Sequence, residues 1–284
     1  MSSLEKPILT WFKKNKRDLP WRDTTPWGVM VSEYMLQQTP VNRVLPKWHE
    51  WMQRWPTPKD LAKATPAQVI TAWGRLGYPR RALRLHECAK VISTQYKGRI
   101  PETQSELREL PGIGDYTSAA IVAFAFEGRS LVLDINIRRV FARVIDGVEV
   151  PTSAPTKSER QEREKLIPSK NPHVWAAATM ELGALICTAK NPKCGQCPLA
   201  DQCIWRSLDY PLSDQPKRTQ SWHGTDRQCR GVIVQALREN PVLSKKEIMQ
   251  LWDVPSQVEK ALLTLLEDGL LVEQKGQRFS LPQR

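Results

Sequence analysis

The chain has 284 residues, 40% of them hydrophobic, enough apolar material for one large domain or two modest ones, which excludes a disordered chain. Lys and Arg outnumber Asp and Glu by 42 to 30, and a net charge of +12 suits either a polyanionic partner or a merely soluble basic surface. The opening MSSLEKPILTWFKKNKRD carries charge where a secretion signal needs an apolar run. The longest apolar stretch, Ala119 to Phe126, is too short to cross a bilayer, so a cytoplasmic protein with no membrane partner is expected.

From Pro26 to about Tyr210 the sequence reads as successive amphipathic helices separated by Pro and Gly: PTPKDLAKATPAQVITAW, RRALRLHECAKVISTQYKG, TQSELRELPGIGDYTSAAIVAFAFEG, LDINIRRVFARVI and NPHVWAAATMELGALIC. Alternating strand patterns are missing, so this region is mainly α, with two helical lobes as one division. Early in it, SEYMLQQT places Glu33 on an apolar helix, where an isolated Glu usually marks a partly exposed face. In LPGIGDYTSAAI, Gly112 and Gly114 frame a tight turn between two helices. Such a turn lets the backbone approach a partner and offers helix-start amides to a phosphate, although many helical hairpins turn on Gly-x-Gly for steric reasons. In LVLDINIRRVFAR, Asp134 heads a basic helix, either as its N-cap or as a carboxylate with chemistry to do.

Four of the six cysteines crowd into CTAKNPKCGQCPLADQC, residues 187–203, as Cys187, Cys194, Cys197 and Cys203, with six, two and five residues between them. Reducing conditions favour a metal site over disulfides at this density. Four-cysteine zinc sites usually join two CxxC knuckles, and one is present here, so a compact loop around one iron–sulfur cubane fits better. Cys88 and Cys229 stand alone and read as small buried hydrophobes. Residues 207–222 lack periodicity and read as a linker. Beyond them, three short helices and two strands about a Lys-Gly turn suggest a small winged-helix-like module over 223–284. The basic excess, 31 against 21 up to residue 210, nearly vanishes after it, 11 against 9, which leans away from a strong DNA reader in the module.

The cysteine spacing resembles the [4Fe-4S] loop of the endonuclease III superfamily of DNA glycosylases, and it follows the last helix of the main region as it does there. LPGIG followed by Asp134 resembles that superfamily's helix-hairpin-helix and catalytic Asp. GVMVSEYMLQQTPVNRV resembles the motif of its adenine-specific branch, the MutY family. The resemblance covers about residues 10–205. It implies a two-lobed helical glycosylase domain over 1–206 carrying one [4Fe-4S] cluster, a monomer acting on double-stranded DNA that contains a mispaired adenine.

The resemblance also assigns roles. Glu33 protonates the departing adenine, and Asp134 stabilises the oxocarbenium-like sugar cation that cleavage leaves, the usual need for an anion in glycoside cleavage. Tyr116 stands where strand-cutting relatives carry an attacking Lys, so a monofunctional enzyme is expected. LPWR nominates Trp21 and Arg22 at the mouth of the base pocket, with a loop before Glu33 one residue short, and Asn136 and Glu181 join the pocket. GRLGYPRR nominates Leu76 and Tyr78 as wedges in the duplex, with Gln38 and Thr39 reading from a second helix. Lys190 and Lys193 flank the cluster where phosphates could pass. Three departures stand out: Pro79 replaces a Tyr of the family pattern, Ile135 replaces the Gly after the catalytic Asp, and the tail reads as a winged helix where many members have a Nudix-like domain. Competing readings are a thymine or oxidised-pyrimidine glycosylase on the same fold and a non-enzymatic iron–sulfur DNA-binding regulator.

Overall fold

The computed structural model describes residues 3–213 and 223–283. Residues 3–213 form helices with no strand among them: α1 (Glu5–Asn15), α2 (Pro26–Leu36), α3 (Val41–Arg54), α4 (Pro58–Ala62), α5 (Pro66–Trp73), α6 (Arg80–Gln95), α7 (Gln104–Glu109), α8 (Asp115–Phe126), α9 (Ile135–Val144), α10 (Lys157–Glu164), α11 (Pro172–Leu185) and the short α12 (Ile204–Ser207). Local chemistry sets several starts. Thr57 and Thr65 cap α4 and α5 just ahead of a proline at the first helical position, and Thr65 and Gln68 form a reciprocal capping box. No helix among the described residues is long and apolar enough to cross a membrane.

The described residues fall into two compact units, one of 3–30, 102–109 and 113–213, the other of 31–101, 110–112 and 223–283. In the first, Leu4, Ile8 and Phe12 repeat every fourth residue along one side of α1 and join the core made by α8, α9 and α11, where Phe141 stacks on Trp175 at 6.2 Å. The helical reading that began at Pro26 passed over α1, whose buried Ile8 and Phe12 sit in a run that also carries Lys6, Lys13 and Lys14.

In the second unit, Trp51 meets Trp55 and Trp73 edge-on, with ring centroids 4.8 and 5.4 Å apart. These tryptophans are core, not surface platforms. Cys88 and Cys229 are buried as expected, and burial pushes the Cys88 thiol up to about 12, against the pull of its hydrogen bond with Tyr34. Residues 223–283 form α13 (Asp226–Glu239), β1 (Leu243–Ser244), α14 (Lys245–Met249), α15 (Pro255–Glu267), β2 (Val272–Gln274) and β3 (Arg278–Ser280). The strands pair antiparallel in the order β1-β3-β2, with Phe279 opposite both Leu243 and Glu273. The helix order and the wing are those of a winged helix. Two residues are too few for a periodic signal, so β1 is invisible in the sequence. Of the linker 207–222, residues 214–222 lie outside the described residues.

Candidate active site

Asp134 caps α9. Its Oδ1 accepts the Ile137 amide at 2.7 Å and its Oδ2 accepts Asn136 Nδ2 at 2.7 Å. Burial raises its carboxyl above the ordinary aspartate range, against the hydrogen bonds from Ile137 and Asn136 and the charge of Arg139. Arg139, itself buried, ties this corner to the rest of the unit: Nη2 donates to Asn136 Oδ1 at 2.8 Å and to the Gly183 carbonyl at 2.7 Å, and Nε to the Cys187 carbonyl at 2.7 Å. A side chain on Gly183 would put its Cβ 2.6 Å from the Asn136 carbonyl oxygen, so α11 approaches the start of α9 only because residue 183 has none. The basic run heading this helix therefore faces inward: Arg138, Arg139 and Arg143 are all buried and partnered.

In the same unit, α11 presents Glu181, 2% exposed, to Arg17 and Arg22. Arg17 binds it with Nε at 2.9 Å, Nη2 at 2.7 Å and its own amide at 2.8 Å, while Arg22 reaches it at 3.0 Å. Burial pushes this carboxyl up, but the hydrogen bonds and charges of the two arginines outweigh it and hold Glu181 below the ordinary glutamate range. Arg22 and Glu181 are thus brought together, with Trp21 buried beside Arg22 in the chain. Tyr116 packs half-buried against the core from the first turn of α8. Ahead of that helix a Cβ on Gly114 would meet nothing within 4 Å.

The four clustered cysteines line one cavity, walled by Val140, Val144, Leu182, Ile186 and Trp205. Among the described residues no group of three or more His, Cys, Asp or Glu is placed to hold a metal ion. Thiols ringing a shared apolar cavity suit a multi-atom cluster. Arg143 braces the loop: Nη1 donates to the Thr188 carbonyl at 2.8 Å and approaches Cys187 Sγ at 3.5 Å, while its guanidinium lies 4.5 Å from the Trp205 ring centroid. A cation beside a thiolate compensates negative charge in a dry site.

In the second unit, Glu33 lies buried on α2, 5% exposed. Gln38 and Tyr78 occupy two separate loops, and both have left-handed backbones, with φ of 54° and 47°. Each is exposed, Tyr78 by 41%. A bulky side chain at positive φ is strained and needs its surroundings to hold it. Arg81 does so for both loops. Its Nη1 donates to the carbonyls of Tyr34 (3.0 Å), Met35 (3.2 Å) and Gln37, and its Nη2 to Thr39 Oγ1 (3.0 Å) and the carbonyls of Leu76 (3.3 Å) and Gly77 (2.9 Å). Burial pulls this guanidinium down to about 10, which leaves it charged near neutrality. Thr39 and Leu76, expected at the duplex, are both buried, Leu76 at 4%; they form the support beneath Gln38 and Tyr78. Gly112, at φ 81°, is required twice over, since a Cβ there would lie 3.0 Å from Arg84 Cβ and 3.2 Å from the Tyr34 ring.

Sequence reasoning missed Arg17, Arg81, Arg139, Arg143 and Gly183. The signal for the arginines was weak, because a buried arginine and a surface one look alike in a basic sequence. Residues 31–168 match the HhH-GPD superfamily base excision DNA repair protein family, and residues 187–203 the iron-sulfur binding domain of endonuclease III. Fold and site together define the class, a helix-hairpin-helix protein of DNA base-excision repair whose four-cysteine loop holds a [4Fe-4S] cluster. An adenine DNA glycosylase of Mycolicibacterium smegmatis is 44% identical over 278 residues, 96% of this chain and 94% of the relative. The chain belongs to the adenine DNA glycosylase family. A thymine-DNA glycosylase of Aeropyrum pernix is 34% identical over 74% of this chain and 96% of its own length. The solved structure of a thermostable thymine-DNA glycosylase gives a TM-score of 0.66 at 27% identity, covering 71% of this chain and 94% of that one.

Proposed function

We propose that this enzyme hydrolyses the N-glycosidic bond of adenine paired with 8-oxoguanine or guanine in double-stranded DNA, and leaves the strand uncut. The observation that carries this reading is the 44% identity to an adenine DNA glycosylase over nearly the whole of both chains. In the reaction the bond from C1′ to the base breaks and its electron pair leaves with the adenine. Glu33 gives the adenine a proton, the Asp134 carboxylate stabilises the positive charge left on the sugar, and water adds to C1′, one of its protons restoring the acid. The support for Asp134 is its geometry: Asn136 and the Ile137 amide each hold one of its oxygens, so the charge is aimed without reorganisation. Glu33 is supported by its place, buried on the apolar helix α2. Tyr116 offers no amine for strand cleavage. When bound, the cluster pins the loop 187–203, and no step of base removal is assigned to it.

On this reading Tyr78 enters the duplex beside the base opposite the adenine, Gln38 contacts the same region, and the amides beyond Gly112 and Gly114 hold the backbone. Trp21, Arg22, Asn136 and Glu181 shape the pocket of the unit that carries Asp134. A second reading, removal of thymine opposite guanine, is favoured by the 34% identity to the Aeropyrum pernix enzyme along almost all of that protein. Base release from duplexes with adenine opposite 8-oxoguanine and with thymine opposite guanine separates the two. Strand breaks that appear only after hot alkali, and only with the adenine substrate, are expected. Thymine release without adenine release would establish the second reading instead.

A further inference from the structure

The winged-helix-like module carries nearly balanced charge, yet it packs against the helices that flank the Tyr78 loop. The Ala67 amide of α5 donates to the Pro282 carbonyl at 2.7 Å, Arg238 Nε donates to the Ile70 carbonyl at 3.2 Å, and Arg80 pairs with Asp268 at 3.0 Å. Beneath these contacts Ala67 and Ile70 share one apolar cluster with Cys229 and Ile233 of α13. The start of α13 is therefore fixed relative to the loop. Two residues before the buried Cys229, on the exposed side, Arg227 lays its guanidinium 4.2 Å from the centroid of the Tyr78 ring. The backbone under that ring is already held, because the Gly77 carbonyl oxygen accepts hydrogen bonds from Arg81 Nη2 and Trp73 Nε1, each at 2.9 Å. Two guanidinium groups therefore meet the exposed ring, Arg81 of the loop's own support at 5.7 Å from the centroid and Arg227 of the module, the nearer, at 4.2 Å.

We infer that Arg227 is a positioning residue for Tyr78, and that through it the C-terminal module takes part in discriminating the base opposite the excised adenine. The inference rests on the reading that Tyr78 enters the duplex. A ring that must slip between bases loses its rotamer freedom on insertion, and a guanidinium stacked on one face removes part of that freedom beforehand. The planar group suits this task and a lysine ammonium does so less well, because only the guanidinium stacks.

The test uses the full-length protein with its cluster. Arg227→Ala, Arg227→Lys, Tyr78→Ala and the double variant Arg227→Ala/Tyr78→Ala are compared in single-turnover excision of adenine opposite 8-oxoguanine and opposite guanine. A 2-aminopurine neighbouring the opposite base reports insertion by its fluorescence, with or without base release. Arg227→Ala is expected to lower excision opposite 8-oxoguanine about three- to tenfold, to change the ratio between the two substrates, and to reduce the fluorescence rise. Arg227→Lys should fall between it and wild type, and Arg227→Ala should add nothing once Tyr78 is gone. An unchanged substrate ratio with an unchanged fluorescence rise, or a loss of equal size with and without Tyr78, overturns the inference. Wild-type protein that releases no adenine refutes the proposed function instead, and the fluorescence comparison then still decides the role of Arg227.

Discussion

At the scale of single residues, one carboxylate does two jobs that sequence reasoning sets against each other. Asp134 is an N-cap, and the same hydrogen bonds that make it one aim its charge. Asp134→Asn keeps a capping oxygen, so folding and DNA affinity should persist while excision falls about 10²- to 10⁴-fold, read by single-turnover assay alongside a binding titration. Burial raises the Asp134 carboxyl, and the reaction needs the ionised form. Excision is therefore full above the raised value and fades as pH falls through it, so the acid limb of the rate profile should lie above the ordinary 3.8. Glu33→Gln should likewise remove excision with no change in thermal midpoint. Glu181 behaves oppositely to Asp134: its arginine partners hold it below 4.5, so its contribution to stability is complete above that value and is lost as pH falls through the lower folded one. Glu181→Gln should melt lower at neutral pH and show a shallower loss between about pH 5 and pH 3 in thermal scans.

At the scale of elements, the site depends on helices that touch where a side chain is missing and on loops that share an arginine. Gly183→Ala would force α11 away from the start of α9, with a Cβ 2.6 Å from the Asn136 oxygen. A destabilisation of about 1–3 kcal/mol in urea, with a drop in excision larger than that of Asn136→Ala, is the expected outcome. The Gln38 and Tyr78 loops lie 40 residues apart in the chain, and Arg81 holds both through carbonyls that carry no sequence identity. Such a hub cannot be read from residue type. By contrast the N-cap of α9 was legible, because Asp134 satisfies orphan amides within its own turn.

At the scale of the whole molecule, the C-terminal module is part of a compact unit and not a tethered addition. Its cluster with Ala67 and Ile70 would lose its cover in a chain ended after residue 213. That truncation should lower the thermal midpoint by at least about 4 °C and raise light scattering on heating; an unchanged melt would show that the unit stands without the module. Local order determined the helical class, the hairpin turn, the cysteine loop and the winged-helix-like tail, because caps, glycine turns and close metal-ligand spacing act within a few residues and so leave their pattern in the chain. The tertiary structure alone decided which arginines are interior braces, that Leu76 and Thr39 support and Tyr78 and Gln38 face outward, and that Arg227 meets Tyr78. Each of those depends on burial and on partners far away in sequence, and a basic or aromatic letter carries no mark of either.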